Sequence, residues 1–132
     1  MYEMNNAFQT YKQQKILTAN PIELIILLYD GCIKQLKIAT LAVEEKDYER
    51  ANESMQKAQR IMMELLNSLD LRYSIAKDLM MLYEFLIRQI MDGNASKNAQ
   101  KLVDVIRILG ELRESWAQLA KSGISSVAQM GE

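Results

Sequence analysis

Along Asn20–Val43, apolar residues recur on two sides of what reads as a single helix. The first set is Ile22, Ile25, Tyr29, Cys32, Leu36, Ala39 and Val43. It alternates steps of three and four, the spacing of a bundle seam. The second set, Leu24, Leu27, Gly31, Lys34, Ile38 and Leu41, alternates in the same way and is broken only at Lys34. At about 100° of rotation per residue, Leu27, Ile38 and Leu41 fall roughly 140–160° from the centre of the first set. The outward face of a bundle helix is ordinarily polar. This helix therefore carries more apolar surface than one small core can bury. Its start is well marked, with Asn20 as N-cap, Pro21 at N1 and Glu23 completing a capping box.

The pattern predicts three further helices. Glu44–Asp47 is a polar break, and Asp47 suits the next N-cap. The second helix, about 48–69, has one apolar side: Ala51, Met55, Ala58, Met62, Leu65 and Leu69. After a break at Asp70–Ser74, with Ser74 as a cap, the third runs over about 75–91. Its seam is Ala76, Leu79, Tyr83, Leu86 and Ile90. Like the first helix it has apolar residues to spare, since Met80, Ile87 and Met91 flank the seam while Met81 and Phe85 point away from it. Asp92–Lys97 reads as the third break, with Gly93 and Asn94 suited to left-handed backbone at the helix end. The fourth helix, about 98–120, has its seam at Leu102, Val105, Leu109, Leu112, Trp116 and Leu119.

Long helices joined by such short breaks pack antiparallel. The expected fold is all-α, an up-down-up-down four-helix bundle over residues 20–120 with a short N-terminal arm. Residues 1–19 form that arm, which either frays or lays Phe8, Tyr11 and Ile16 over the bundle as a lid. Residues 121–132 have no sustained period and read as a loose tail.

Composition narrows the function. The chain of 132 residues fits one domain, and 49% hydrophobic with 25% charged residues is ordinary for a globular protein. A net charge of −1 gives no electrostatic reason to expect nucleic acid. Histidine is absent and Cys32 is the one cysteine, which removes His-based catalysis, thiol pairs and the usual zinc sets. There are no Gly-rich phosphate loops, and the carboxylates fall on polar faces or at helix ends. No enzyme, cofactor or metal is expected. The polar start lacks an apolar leader, and no apolar run nears the ~20 residues of a membrane span. A cytoplasmic setting without membrane insertion is expected.

What remains is surplus apolar surface. Burying a large aliphatic side chain is worth roughly 1.5–3 kcal/mol, so Leu27, Ile38 and Leu41 imply a partner if they stay exposed. Gly31 sits in the same stripe, where glycine costs about 1 kcal/mol against alanine. Either another backbone approaches there from outside, or a close internal contact requires it. Met80, Met81 and Met91 supply an adaptable surface of the kind that accepts amphipathic helices. The competing reading is a homo-oligomer in which the surplus faces bury each other.

Several segments, in order along most of the chain, carry a resemblance. They are Tyr11, Thr18-Ala19-Asn20-Pro21 leading to Glu23-Leu24-Ile25, Leu28-Tyr29-Asp30-Gly31, Lys57-Ala58-Gln59-Arg60-Ile61, Leu69-Asp70, Leu82-Tyr83-Glu84-Phe85 and Glu111-Leu112-Arg113-Glu114-Ser115-Trp116. Together they resemble the FliS family of flagellin-specific export chaperones, with Tyr29, Asp30 and Gly31 in the position of its LYDG signature. Asn20 stands where the family often has Ser, and Cys32 where a small residue such as Ala is common. The resemblance implies a bundle that binds the disordered C-terminal region of flagellin and blocks premature polymerisation. It also implies delivery to the gate of the flagellar type III export apparatus. The cargo-binding residues expected are Leu24, Leu27, Gly31, Lys34, Ile38 and Leu41 on the first helix. On the third they are Met80, Met81, Phe85, Ile87 and Met91. A monomer is expected without cargo.

Overall fold

The computed structural model describes residues 21–122. Its helices are α1 (Pro21–Glu44), α2 (Tyr48–Asn67), α3 (Ser74–Ser96) and α4 (Ala99–Lys121). Helix α1 packs against α2 and α4, and α3 packs against the same two neighbours. The short links force each helix to run opposite to the one before it, which gives an antiparallel four-helix bundle. The Asn20 cap lies outside the described residues.

The links follow local chemistry. Lys46 takes a left-handed backbone with φ of 60°, and Asp47 then caps α2 by accepting from the N–H of Arg50 at 3.3 Å. Helix α2 stops at Asn67, two residues before the expected end at 69. There the Ser68 hydroxyl donates to the Leu65 carbonyl at 2.7 Å, while Leu69 packs on the core from the link. Ser74 is the first residue of α3 rather than its cap; Tyr73 holds the cap position without a side-chain bond. At the head of α4, the Asn98 side chain accepts from the backbone N–H groups of Gln100 and Lys101.

Helix α3 corrects the sequence reading. It runs through Asp92–Ser96, which looked like a break, and ends only where Lys97 turns left-handed with φ of 52°. Gly93 is not a helix stop. It is buried, and a Cβ there would lie 3.1 Å from Cδ2 of Leu102, so it lets α4 approach closely. Asn94 is likewise held in place, donating to Asn52 of α2 at 2.7 Å. Tertiary contacts thus extend the helix past two residues with poor helix propensity.

The core is built from the predicted seams. Ile22, Cys32, Leu36, Met55, Met62 and Leu86 are fully buried, as are the seam residues Leu102 and Leu109 on α4. Near its middle, Tyr29 of α1 and Tyr83 of α3 meet edge to face, with ring centroids 6.4 Å apart. Their hydroxyls are hydrogen-bonded, and Trp116 of α4 donates its indole N–H to the Tyr29 oxygen at 3.2 Å. Burial pushes both phenols above their ordinary ionisation range.

Candidate functional site

The second stripe of α1 lies at the surface. Leu24, Leu27, Gly31 and Ile38 are half-buried, Lys34 is exposed, and Leu41 is 52% exposed. Their α1 neighbours Ile25, Ile26, Ile33 and Val43 pack against the core, whereas Leu24, Leu27, Ile38 and Leu41 are not among the residues that do. By helical rotation Asp30, whose carboxylate is held by Arg113 of α4, borders the stripe on the side of Lys34 and Leu41. The same helix therefore seals the bundle with one side and offers a ridged apolar strip with another.

The α3 residues divide into two groups. Ile87 is half-buried and packs on the core, so it serves the bundle as well as its surface. Summing the helical rotation, Met80, Ile87 and Met91 share the flank toward α2, while Met81 and Phe85 lie further round. Met81 is 66% exposed, Phe85 41% and Met91 53%. Met91 joins Asn52 and Gln59 of α2 and Asn94, Ala95 and Lys97 in a shallow groove of about 410 Å³. Met63 of α2, one turn beyond Gln59, is also exposed. Sequence reasoning missed it because α2 looked one-sided. The Met62-Met63 doublet, matching Met80-Met81 on α3, was the available signal.

Of the signature residues, Tyr29 acts inside the bundle and Asp30 at its surface. Tyr29 is the central member of the buried hydrogen-bonded cluster. Asp30 accepts two bonds from Arg113 of α4, at 2.9 Å from Nε and 3.3 Å from the terminal nitrogen. Arg113 also contacts Glu114 at 3.3 Å, and the carboxylate of Asp30, first, then that of Glu114 raise its already high ionisation range. Phe8, Tyr11 and Ile16 lie outside the described residues.

Nothing in these faces supports bond-making chemistry. Among the described residues no three His, Cys, Asp or Glu side chains group to hold a metal. Cys32 is buried, its thiol aimed at the Ala58 carbonyl at 3.7 Å, and burial pushes it up to about 12. A thiol held neutral in this way is a packing group, not a nucleophile. No helix among the described residues is long and apolar enough to cross a membrane.

The described residues form a four-helix bundle that carries large apolar side chains at its surface as well as in its core. The family model "Flagellar protein FliS" matches residues 4–123, and the chain belongs to this family, whose members are flagellar chaperones and not enzymes. The flagellar secretion chaperone FliS of Bacillus subtilis is 31% identical over 119 residues, covering 90% of both chains. That of Vibrio cholerae is 30% identical over 122 residues, covering 88% of this chain and 90% of the other. A crystal structure of a flagellar chaperone from bacteria superposes with a TM-score of 0.74 at 23% identity. It covers 89% of this chain and 97% of its own, and it supports the four-helix fold.

Proposed function

We propose that this flagellar chaperone binds the disordered C-terminal region of flagellin in the bacterial cytoplasm. The segment folds into amphipathic helices on the second stripe of α1, Leu24, Leu27, Gly31, Lys34, Ile38 and Leu41. A further part lies against Met80, Met81, Phe85, Ile87 and Met91 of α3. Covering the segment blocks premature polymerisation and keeps the subunit ready for delivery to the flagellar type III export gate. The chain is a monomer without cargo.

The observation that carries this reading is the strip from Leu24 to Leu41, apolar except at Lys34 and outside the packed core. A strip of half-buried leucine and isoleucine ending in the exposed Leu41 suits a docked apolar helix, and the exposed methionines on α3 suit an amphipathic one. Leu27→Lys and Ile38→Lys test it, each placing a charge on the strip without touching the core. Flagellin binding is lost while far-UV helicity and the melting transition stay near wild type. Normal binding by both variants would remove the strip from the cargo site.

A further inference from the structure

Lys34 is the one charge inside the α1 strip, with Leu27 and Gly31 before it and Ile38 and Leu41 after it. It is exposed, and no ion pair holds its ammonium among the described residues. On its own helix the carboxylate within reach is Asp30, four residues earlier. Arg113 of α4 already donates to both oxygens of Asp30, at 2.9 and 3.3 Å. Lys37, one turn further on, is also exposed and without an ion pair among the described residues. No Asp or Glu stands three or four residues from it on either side. The middle of the strip is therefore positive in a chain whose net charge is −1.

A docked helix changes the surroundings of Lys34. Gly31, one turn before it, has no side chain to hold a partner's backbone off. The half-buried Leu27 and Ile38 on either side would be covered together with it. An ammonium taken out of water without a counter-charge is costly, whereas beside a carboxylate it forms a charge-assisted hydrogen bond. The other course open to lysine is to lay its stem along the cargo and keep its head in water. The side to which the head could turn carries Lys37 and an Asp30 already neutralised by Arg113, so no counter-charge waits there.

We propose that Lys34 reads an acidic side chain on the cargo. The helix that lies on the α1 strip carries an Asp or Glu among its apolar residues, facing Lys34, and Lys37 strengthens the attraction. This rests on the strip being the cargo site, and it adds a rule for which segments the strip accepts and in which register. A helix of the same shape with a lysine at that position is rejected by like charge.

The test is titration of the full chain with a peptide from the C-terminal region of flagellin, and with a series in which each Asp or Glu of that peptide is replaced in turn by Lys. Lys34→Glu should weaken binding of the parent peptide at least about tenfold, with far-UV circular dichroism unchanged because Lys34 is exposed. One member of the series should fail on the wild-type chain and recover on Lys34→Glu. Lys34→Met should bind the parent peptide more weakly and with less dependence on salt. If Lys34→Met binds as tightly as wild type or tighter, the lysine head stays in water and the proposal is overturned. It is overturned as well if Lys34→Glu rescues no peptide of the series. In either case the strip remains the cargo site so long as Leu27→Lys and Ile38→Lys abolish binding. A parent peptide that never binds the wild-type chain refutes both.

Discussion

Trp116 donates its indole N–H to the hydroxyl of Tyr29, 3.2 Å away and 87 residues earlier in the chain. Tyr29 is in turn bonded to Tyr83, so one phenol ties three helices at the centre of the bundle. These three residues come from three of the segments that carry the family resemblance. The signature that first suggested a binding protein is, at Tyr29, Tyr83 and Trp116, a means of holding the bundle together.

The tie has an order of importance. Tyr29→Phe leaves both the Trp116 N–H and the Tyr83 hydroxyl without a partner, and each buried orphan costs about 1–3 kcal/mol. Tyr83→Phe keeps the Trp116 bond and should cost about 1 kcal/mol. Urea unfolding of the two variants checks this. A larger loss in Tyr83→Phe than in Tyr29→Phe would contradict the arrangement.

Two glycines in helices have opposite roles. No neighbouring atom lies within 4 Å of where a Cβ would stand on Gly110, so Gly110→Ala should raise stability by about 1 kcal/mol through helix propensity alone. On Gly93 the added carbon meets Leu102 at 3.1 Å, and Leu102 is fully buried with little room to yield. Gly93→Ala should therefore lower stability. Equal gains from the two substitutions, measured by chemical denaturation, would remove the close approach of α3 and α4 at Gly93.

Cys32 should shape the alkaline limb of stability. Its thiol ionises near 9.0 when unfolded and near 12 in the bundle. Above pH 9 the unfolded chain loses a proton that the folded chain keeps. Its contribution is therefore fully present below that pH and is lost as pH rises through the window. Tyr29 and Tyr83, raised mainly by burial, add to the decline above their ordinary 10.0. Urea unfolding at stepped pH should show a shallower slope between pH 9 and 10 in Cys32→Ala than in wild type. Identical slopes would show that the thiol is not held neutral.

Periodicity revealed the bundle because burial follows helical spacing directly. The seam of α4 emerged nearly residue for residue, that of α1 without the buried Leu28, Gln35 and Ala42 that face a second neighbour, and Asp47 announced the start of α2. The end of α3 was hidden because Gly93-Asn94 is a local stop signal overridden by contacts with Leu102 and Asn52, both remote in sequence. The second stripe was legible as a separate face of α1, because two interleaved stripes are a sequence pattern. That Ile87 shares the core, and that Met91 faces Asn52 and Gln59 of α2, depends on how α3 is rotated against its neighbours. The pairing of Asp30 with Arg113 likewise joins helices whose adjacency the sequence does not state.

The central claim is that the strip on α1 takes a disordered flagellin segment and orders it. Calorimetric titration of the chain with a peptide from the C-terminal region of the same cell's flagellin, at several temperatures, tests this directly. Coupled folding and burial predict saturable binding with a large negative heat-capacity change, and circular dichroism should show a gain in helicity. Absence of binding, or binding with neither signature, would contradict the account.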